Sequence, residues 1–309
     1  MPLNYLQAVA LSVLAFVAQD AANWRDPSRH QVRLVSVDSS VRLEVLDWGG
    51  TGRPILFVGC YLSAHVYDEI APKLTDFFRV YAVTRRGIGA SDRPTTGYDP
   101  SQRTADILAV IGALRLKKPI LIGHSCGGDI LHAVGIQQPA RVGGLVYLDA
   151  AEDPTLNLSD YVPPAAFRYL SANVKRLSKR TDQSAPIVFP EAESRQRPLD
   201  PAIRKAILDD YRVKPEYARI RVPVLAIYRT GTLKQALDNA ESQNDEQLAA
   251  LVADYAGHGA MLERWQADLR EGVPTARIVE LPGANLYMFI SNEADVIREL
   301  RAFAATLPR

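Results

Sequence analysis

The chain has 309 residues, of which 47% are hydrophobic and 23% are charged. This composition is ordinary for a folded globular protein, and the length is enough to bury a large core. The 36 Lys and Arg residues nearly balance the 35 Asp and Glu residues, which leaves a net charge of +1. A chain this close to neutral has no overall attraction to nucleic acid or to an anionic membrane surface. We therefore expect no nucleic-acid partner.

Residues 1–22 differ in composition from the rest of the chain. Leu6 to Val17 is almost wholly apolar, and small residues follow up to Ala22. The apolar run is too short for a bilayer, which needs about 20 residues, so no stable membrane span is predicted. An apolar run followed by small residues is typical of a secretory signal, although the positively charged start is absent. We predict export to the periplasm or the medium. The alternative is a membrane-associated or packed N-terminal helix, in which case the protein would be cytoplasmic.

Short apolar runs separated by helical spacing predict an α/β protein. Apolar and polar residues largely alternate over Val32 to Val37 and over Val41 to Trp48, and a polar turn lies between the two runs. This pattern indicates a hairpin at the start of the sheet. Six later runs predict strands, with helices between them over 66–74, 101–114 and 129–138. Short continuous strands of this kind form a mostly parallel sheet with helices on both faces. The six runs are Pro54 to Val58, Val80 to Val83, Pro119 to Ile122, Leu145 to Leu148, Val222 to Tyr228 and Ala276 to Leu281.

The alternation of strands and helices stops between Glu152 and Arg219, where prolines separate short helical pieces. We interpret 152–219 as a helical cap lying over the carboxyl edge of the sheet. The core domain then consists of 23–151 and 220–309. A long polar helix is predicted from Asp245 to Leu269, and we expect it to cover the outer face of the sheet.

A serine lies between a predicted strand and a predicted helix, within Gly123-His124-Ser125-Cys126-Gly127. In this context the pattern G-x-S-x-G forms a nucleophile elbow. Glycines flank the serine because the turn is too tight for side chains and glycine reaches the required backbone angles freely. Such a turn raises the Ser125 hydroxyl into a cleft and places the N–H of Cys126 where an oxyanion would form. Ser125 is therefore the candidate nucleophile.

Cys60 and Cys126 are the two cysteines of the chain. Neither belongs to a C-x-x-C pair or to a spaced set of His and Cys ligands, so no metal site is predicted. Gly87 and Gly89 follow arginines in a turn and lack the further spacing of a dinucleotide-binding loop, so no cofactor is predicted. We interpret the cysteines as two isolated, buried thiols, although export would permit a disulfide between them.

Several sequence segments resemble those of bacterial, often exported, esterase-like members of the α/β-hydrolase superfamily. The resemblance implies the α/β-hydrolase fold over roughly residues 32–307, with a helical cap. It also implies a serine hydrolase that acts on a small or medium acyl ester without a cofactor. The segments are Trp24 to Ser28, Leu43 to Gly50, Thr84 to Ser91, Leu145 to Ala150 and Leu281 to Asn285.

The resemblance also places the residues around the nucleophile. The second oxyanion donor belongs in the loop after Pro54 to Val58, which makes the backbone N–H of Cys60 the candidate. Tyr61 stands where a smaller residue is commoner, so its ring is expected to narrow the acyl pocket. His124 lies beside the serine by motif and is expected to pack beneath the turn rather than act as the base.

The acid of the catalytic triad has two usual positions in this fold. The first is the loop after Val222 to Tyr228, which holds no carboxylate before Asp238. The second is the end of the preceding strand, where Asp149 stands. We predict Asp149 as the acid, with Glu152 as the alternative. The competing interpretation is a strand-end aspartate that accepts hydrogen bonds from nearby N–H groups.

The expected base is missing. The resembling proteins carry a histidine directly after Pro-Gly-Ala-Asn, and here Leu286 occupies that position. Leucine cannot accept a proton, so the hydroxyl of Ser125 would stay protonated near neutral pH. His65 is the first candidate substitute because its predicted helix begins near the cleft, whereas His258 is expected on the outer face of the sheet.

Two functions follow. The first is an esterase-like serine hydrolase whose chemistry is impaired by Leu286, with a small acyl ester as substrate. The second is a non-catalytic protein on the same scaffold that binds a small apolar ligand beneath the cap.

Overall fold

The structure, a computed structural model, describes residues 26–169, 172, 187–209, 213–233 and 244–308. Its strands are β1 (Gln31–Ser36), β2 (Arg42–Gly49), β3 (Arg53–Val58), β4 (Phe78–Val83), β5 (Ile120–His124), β6 (Gly144–Leu148), β7 (Val224–Thr230) and β8 (Arg277–Pro282). They form one sheet in the order β1-β2-β4-β3-β5-β6-β7-β8. β2 pairs antiparallel with β1 and with β4, and all other pairs are parallel. The predicted hairpin and the predicted α/β-hydrolase sheet are confirmed.

The helices cover both faces of this sheet. They are α1 (Pro100–Ala113), α2 (Gly128–Gln137), α3 (Glu191–Ser194), α4 (Pro201–Asp209), α5 (Asp245–Gly272), α6 (Met288–Ser291) and α7 (Glu293–Thr306). Successive side chains of a strand point to opposite faces, so Phe57 and Ile122 enter one core while Leu56 and Leu121 enter the other. α7 packs on the first of these cores, and α1, α2 and the end of α5 pack on the second.

The prediction of one continuous helix over 66–74 is wrong. The structure has two 3₁₀ turns instead, Ala64–Tyr67 and Ala71–Leu74. Pro72 explains the break, because an interior proline removes one backbone hydrogen bond and its ring clashes with the preceding turn.

The predicted cap segment between β6 and β7 contains α3, α4 and a 3₁₀ turn at Leu158–Asp160. Glu193 of α3 connects the cap to the loop after β3, because its carboxylate accepts hydrogen bonds from the backbone N–H of Ser63 at 3.1 and 3.2 Å. Burial raises the pKa of Glu193 to about 7, against the opposing effect of these hydrogen bonds. Residues 1–22, where a signal is predicted, lie outside the described residues. Among the described residues, no helix combines the length and apolar character that a membrane crossing requires.

Two glycines of α5 distinguish the face that packs against the cap from the face that does not. A methyl group at Gly257 would overlap the Val162 side chain and approach the Tyr161 carbonyl oxygen to 3.0 Å, whereas one at Gly259 would have no neighbour within 4 Å. Gly257 therefore allows α5 to lie close to the start of the cap.

We expect Gly257→Ala and Gly259→Ala to have opposite effects on stability. Alanine favours the helix by about 1 kcal/mol over glycine at either position. At Gly257 overpacking costs about 1–3 kcal/mol, so this variant should be less stable overall. Urea unfolding of both variants measures the difference. Equal stabilisation by the two substitutions would show that α5 does not pack against Val162.

Candidate active site

Ser125 lies in a sharp turn between β5 and α2. Its backbone φ is +52°, in the left-handed region that residues with side chains rarely adopt. The turn is surrounded closely by neighbouring backbone: a side chain at Gly127 would overlap the carbonyl oxygen of Val58, and one at Gly128 would overlap that of Ala150. Glycine is therefore required after the serine because the ends of β3 and β6 press against the turn.

Cys60 and Cys126 form a disulfide, with their Cα atoms 5.0 Å apart. The prediction of two isolated thiols is therefore wrong. Residues that are 66 positions apart in sequence meet because β3 and β5 are neighbours in the sheet. The bond joins the loop after β3 directly to the residue that follows Ser125.

A cavity of about 770 Å³ opens at the carboxyl ends of the strands. Ser125 after β5, Asp149 after β6 and Leu286 after β8 all line it, so the structure brings these three predicted residues together. Glu152, the alternative acid, lines the same cavity. The cover comes from the start of the cap and from the middle of α5, including Leu156, Phe167, Leu251, Met261 and Trp265.

The carboxylate of Asp149 accepts hydrogen bonds from Arg229 at the end of β7. The Arg229 side-chain Nε lies 2.7 Å from Oδ2, and its backbone N lies 3.3 Å from Oδ1. Like Ser125, Asp149 has a left-handed backbone, with φ of +47°. Arg229 therefore holds the carboxylate that a triad would use to orient a histidine.

Leu286 lies in the loop between β8 and α6, is 8% exposed and lines the cavity. Its carbonyl oxygen accepts a hydrogen bond of 3.0 Å from Nε2–H of His124. The His124 ring packs against Tyr287 and Phe289, and its burial lowers its pKa to about 4. His124 is thus a neutral, buried side chain beneath the turn, and it is not among the residues that line the cavity, although a pocket position is predicted for it.

Tyr61 is not among the residues that line the cavity. Its ring packs against the cluster that contains the disulfide and Ile207, and the guanidinium carbon of Arg204 lies 5.9 Å from the ring centroid. Burial raises the pKa of Tyr61 to about 12, although nearby arginines act in the opposite direction.

His258 is the histidine that lines the cavity, contrary to its predicted place on the outer face of the sheet. Its Nδ1 lies 2.9 Å from the carbonyl oxygen of Asp254 and 3.3 Å from Oδ1 of the same residue. The middle of α5 covers the cleft while its last turns pack on the sheet. The sequence predicts a single environment for this helix because its helical pattern continues without a break.

The other histidines have partners elsewhere. His65, the first candidate substitute for the base, lies 2.9 Å from Asp68 and 3.6 Å from Glu44. Burial alone would lower the pKa of His65, but these two carboxylates raise it to about 10. Nε2 of His132 accepts the backbone N–H of Glu216 at 2.8 Å. Neither ring lines the cavity.

Removing the disulfide should lower the free energy of unfolding. Closing a loop of 66 residues restricts the unfolded chain by roughly 4 kcal/mol in the chain-entropy account, of which about 2–4 kcal/mol is usually measured. We expect the Cys60→Ala, Cys126→Ala double variant to unfold at lower urea concentration than the oxidised protein. Reduction of the native protein should produce a similar shift. Detection of two free thiols in the unreduced, denatured native protein would contradict the disulfide.

Known proteins resemble this chain in sequence. A sequence profile described as the alpha/beta hydrolase family matches residues 49–299. The chain is 26% identical over 264 residues to a 2-(acetamidomethylene)succinate hydrolase of Mesorhizobium japonicum, covering 80% of this chain and 86% of that protein. It is 36% identical over 133 residues to a non-heme chloroperoxidase of Streptomyces lividans, covering 42% of this chain and 48% of that relative. This second match spans about half the length of the relative.

Solved structures agree in fold. A crystal structure of E-2-(acetamidomethylene)succinate hydrolase superposes with a TM-score of 0.63 at 20% identity, covering 90% of this chain and all (100%) of that one. An esterase from Exiguobacterium antarcticum gives 0.63 at 17% identity, covering 89% of this chain and 100% of that one. At these identities the likeness concerns the fold alone. Because the profile spans every strand from β3 to β8 and the turn after β5, this chain belongs to the alpha/beta hydrolase family.

Proposed function

We propose that the protein is a serine hydrolase of small or medium acyl esters whose activity is weak because Leu286 stands in place of the base. The observation that carries this proposal is the left-handed turn at Ser125 on the wall of a 770 Å³ cavity. Non-glycine residues in such backbone conformations cost free energy and cluster at functional sites. The turn keeps the serine at the cavity in spite of that cost.

The disulfide supports an oxyanion hole beside the serine. The proposed donors are the backbone N–H groups of Cys60 and Cys126, and the bond between these residues limits how far the two can separate. Donors held in advance stabilise a developing oxyanion more effectively than donors that must reorganise. The connection of Glu193 to Ser63 holds the same loop from the cap side.

The reaction would proceed through an acyl-enzyme. The hydroxyl oxygen of Ser125 attacks the ester carbonyl carbon, and the carbonyl electron pair moves to the oxygen held by the two N–H groups. Collapse of this intermediate breaks the bond to the alcohol, which leaves with a proton. Water then attacks the acyl-enzyme, releasing the acid and restoring the Ser125 hydroxyl.

Each of these steps requires a group that moves a proton. In a triad this is a histidine oriented by a carboxylate, and that pair is altered here. Leu286 cannot accept the proton of Ser125, and Asp149 is held by Arg229. Loss of one member of a triad leaves mainly the rate supplied by the oxyanion hole and by binding. Slow turnover is therefore expected.

Asp254 and His258 are the proposed substitute for the missing pair. They line the same cavity as Ser125, and the carboxylate lies next to Nδ1 of the imidazole. An aspartate in this position favours the imidazolium that forms when the ring accepts a proton. The pair would act on Ser125 through water in the cavity.

The relatives named above support hydrolysis as the type of reaction, since they include a hydrolase and an esterase. The cavity offers both apolar side chains and the cation of Arg229, which suits a compact ester with a polar group. We also propose export, because disulfides persist mainly in oxidising compartments outside the cytosol.

A non-catalytic ligand-binding protein is the second candidate. The pairing of Asp149 with Arg229 favours it, because this ion pair satisfies the carboxylate without any histidine. Leu286 then contributes an apolar wall to the cavity, which suits retention of a small ligand.

Restoring the base tests the proposed site. We expect Leu286→His to raise kcat/KM for short-chain nitrophenyl esters on the order of 10²-fold, the range that a positioned base supplies. Adding Arg229→Met should raise it further, because Asp149 can then orient the new ring. Leu286→Gln is the matched control, since it is polar but cannot serve as a base near pH 7. A gain in Leu286→Gln equal to that in Leu286→His would contradict the proposed role of position 286.

The serine itself is tested in the same assay. Ser125→Ala should abolish turnover in the native protein and in Leu286→His, and an active-site-directed phosphonate should label Ser125. Labelling together with turnover that is lost in Ser125→Ala would exclude the ligand-binding candidate. Turnover that survives in Ser125→Ala would exclude Ser125 as the nucleophile.

Replacing the cavity histidine tests the substitute pair. We expect His258→Gln to lower the residual kcat/KM by at least 10-fold, with a smaller effect in Leu286→His, where a second base is present. His132→Gln is the control, because that ring does not line the cavity. Residual activity that is unchanged in His258→Gln would remove His258 from the mechanism.

A further inference from the structure

Two histidines and two aspartates meet at one point away from the cavity. Asp26 and His30 belong to the segment that precedes β1, while His65 and Asp68 belong to the first 3₁₀ turn after β3 and its end. One ligand atom from each residue lies within 4.8 Å of the others. The side chains of His30, His65 and Asp68 are 3%, 7% and 2% exposed and that of Asp26 is 22% exposed, so three of the four side chains are shielded from water.

The separations within this cluster are close to those of a tetrahedral metal site. Zinc lies about 2.0–2.2 Å from nitrogen and oxygen ligands, so tetrahedral ligand atoms lie about 3.3–3.6 Å apart. Nδ1 of His65 is 3.3 Å from Oδ2 of Asp26 and 2.9 Å from Oδ2 of Asp68. Nδ1 of His30 is 3.0 Å from Oδ1 of Asp68, while Nε2 of the same ring is 3.5 Å from Oδ2 of Asp26. The side chains of His30 and Asp68 would therefore rotate to direct one atom each at a shared cation.

A second layer of contacts supports the cluster. Nδ1 of His65 faces the two aspartates, while Nε2 on the opposite side of the ring lies 3.6 Å from Oε1 of Glu44. Glu44 accepts a hydrogen bond of 2.6 Å from the hydroxyl of Thr84. Metal-ligating histidines usually direct their other nitrogen to a carboxylate in this way, which orients the ring and strengthens it as a ligand.

The charges of the cluster also suit a divalent cation. Asp26, Asp68 and Glu44 bring three negative charges to a buried region, and the two imidazole rings lie with their centroids 5.2 Å apart. One divalent ion would offset two of these three negative charges. Oδ2 of Asp26 is buried and, within the described ranges, accepts no hydrogen bond of good geometry.

We propose that Asp26, His30, His65 and Asp68 form a binding site for a single Zn²⁺ ion. Four protein ligands complete a tetrahedral shell, so the site would be structural rather than catalytic. The ion would join the segment before β1 to the turn that follows the oxyanion loop. Zinc is preferred over magnesium or calcium because imidazole nitrogen makes up half of the ligand set. The ligands come from segments 35 or more positions apart in sequence, which is why no metal spacing was visible.

Metal content and thermal stability of the untagged, full-length protein test this proposal without reference to activity. The protein is stripped with a chelator, reloaded with Zn²⁺ alone and separated from free metal by gel filtration. We expect one Zn²⁺ per chain and a higher Tm than in the stripped protein, because a ligand that binds only the folded state stabilises it. Absence of stoichiometric zinc, or a Tm that zinc does not raise, would overturn the proposal.

Variants locate the ion. His30→Gln should weaken zinc binding at least about 100-fold, and Asp26→Asn should weaken it in the same direction. Both residues lie in the segment before β1, so their replacement leaves the sheet intact, and circular dichroism checks this. His132→Gln, outside the cluster, should bind as the native protein does. Zinc binding retained in both His30→Gln and Asp26→Asn would place the metal elsewhere and overturn the assignment.

Discussion

The site depends on how closely three strand ends approach each other around Ser125. Gly127 lies against the carbonyl of Val58 at the end of β3, and Gly128 lies against the carbonyl of Ala150 after β6. No side chain fits at either position, so the chain turns sharply and leaves Ser125 in a left-handed conformation. The disulfide crosses the same junction, from the loop after β3 to the residue after the serine. The packing of the parallel strands thereby places one hydroxyl at the cavity.

The opposite side of the cavity carries an ion pair and an apolar side chain. Arg229 occupies the end of the strand whose following loop usually supplies the acid, and it binds the carboxylate of Asp149. Leu286, at the position where the resemblance predicts a base, places an apolar side chain on the same wall. In the proposed function, Arg229 supplies the cation that satisfies Asp149 in place of a histidine.

α5 adds a second cover to the cavity, next to the predicted cap. Gly257 allows the helix to lie against Val162 at the start of the cap, and the next residue, His258, lines the cavity wall. The residues that close the cavity therefore come from two segments, one before and one after β7. If His258 moves protons, the segment after β7 takes part in the chemistry as well as in the cover.

Local sequence was sufficient to predict the strands, the tight turn at Ser125 and the positions of Asp149 and Leu286 at strand ends. Apolar periodicity and glycine spacing determine strands and tight turns over only a few residues. The contacts of Asp149 and His258 were not predictable in this way, since the side of α5 that meets the cavity depends on how the helix docks. The disulfide and the cluster of His30 with His65 likewise join residues far apart in sequence. The sequence by itself determined the fold and the tight turn that holds Ser125, and only the tertiary structure decided which side chains line the cavity with that serine, because the orientation of these side chains depends on packing between distant segments.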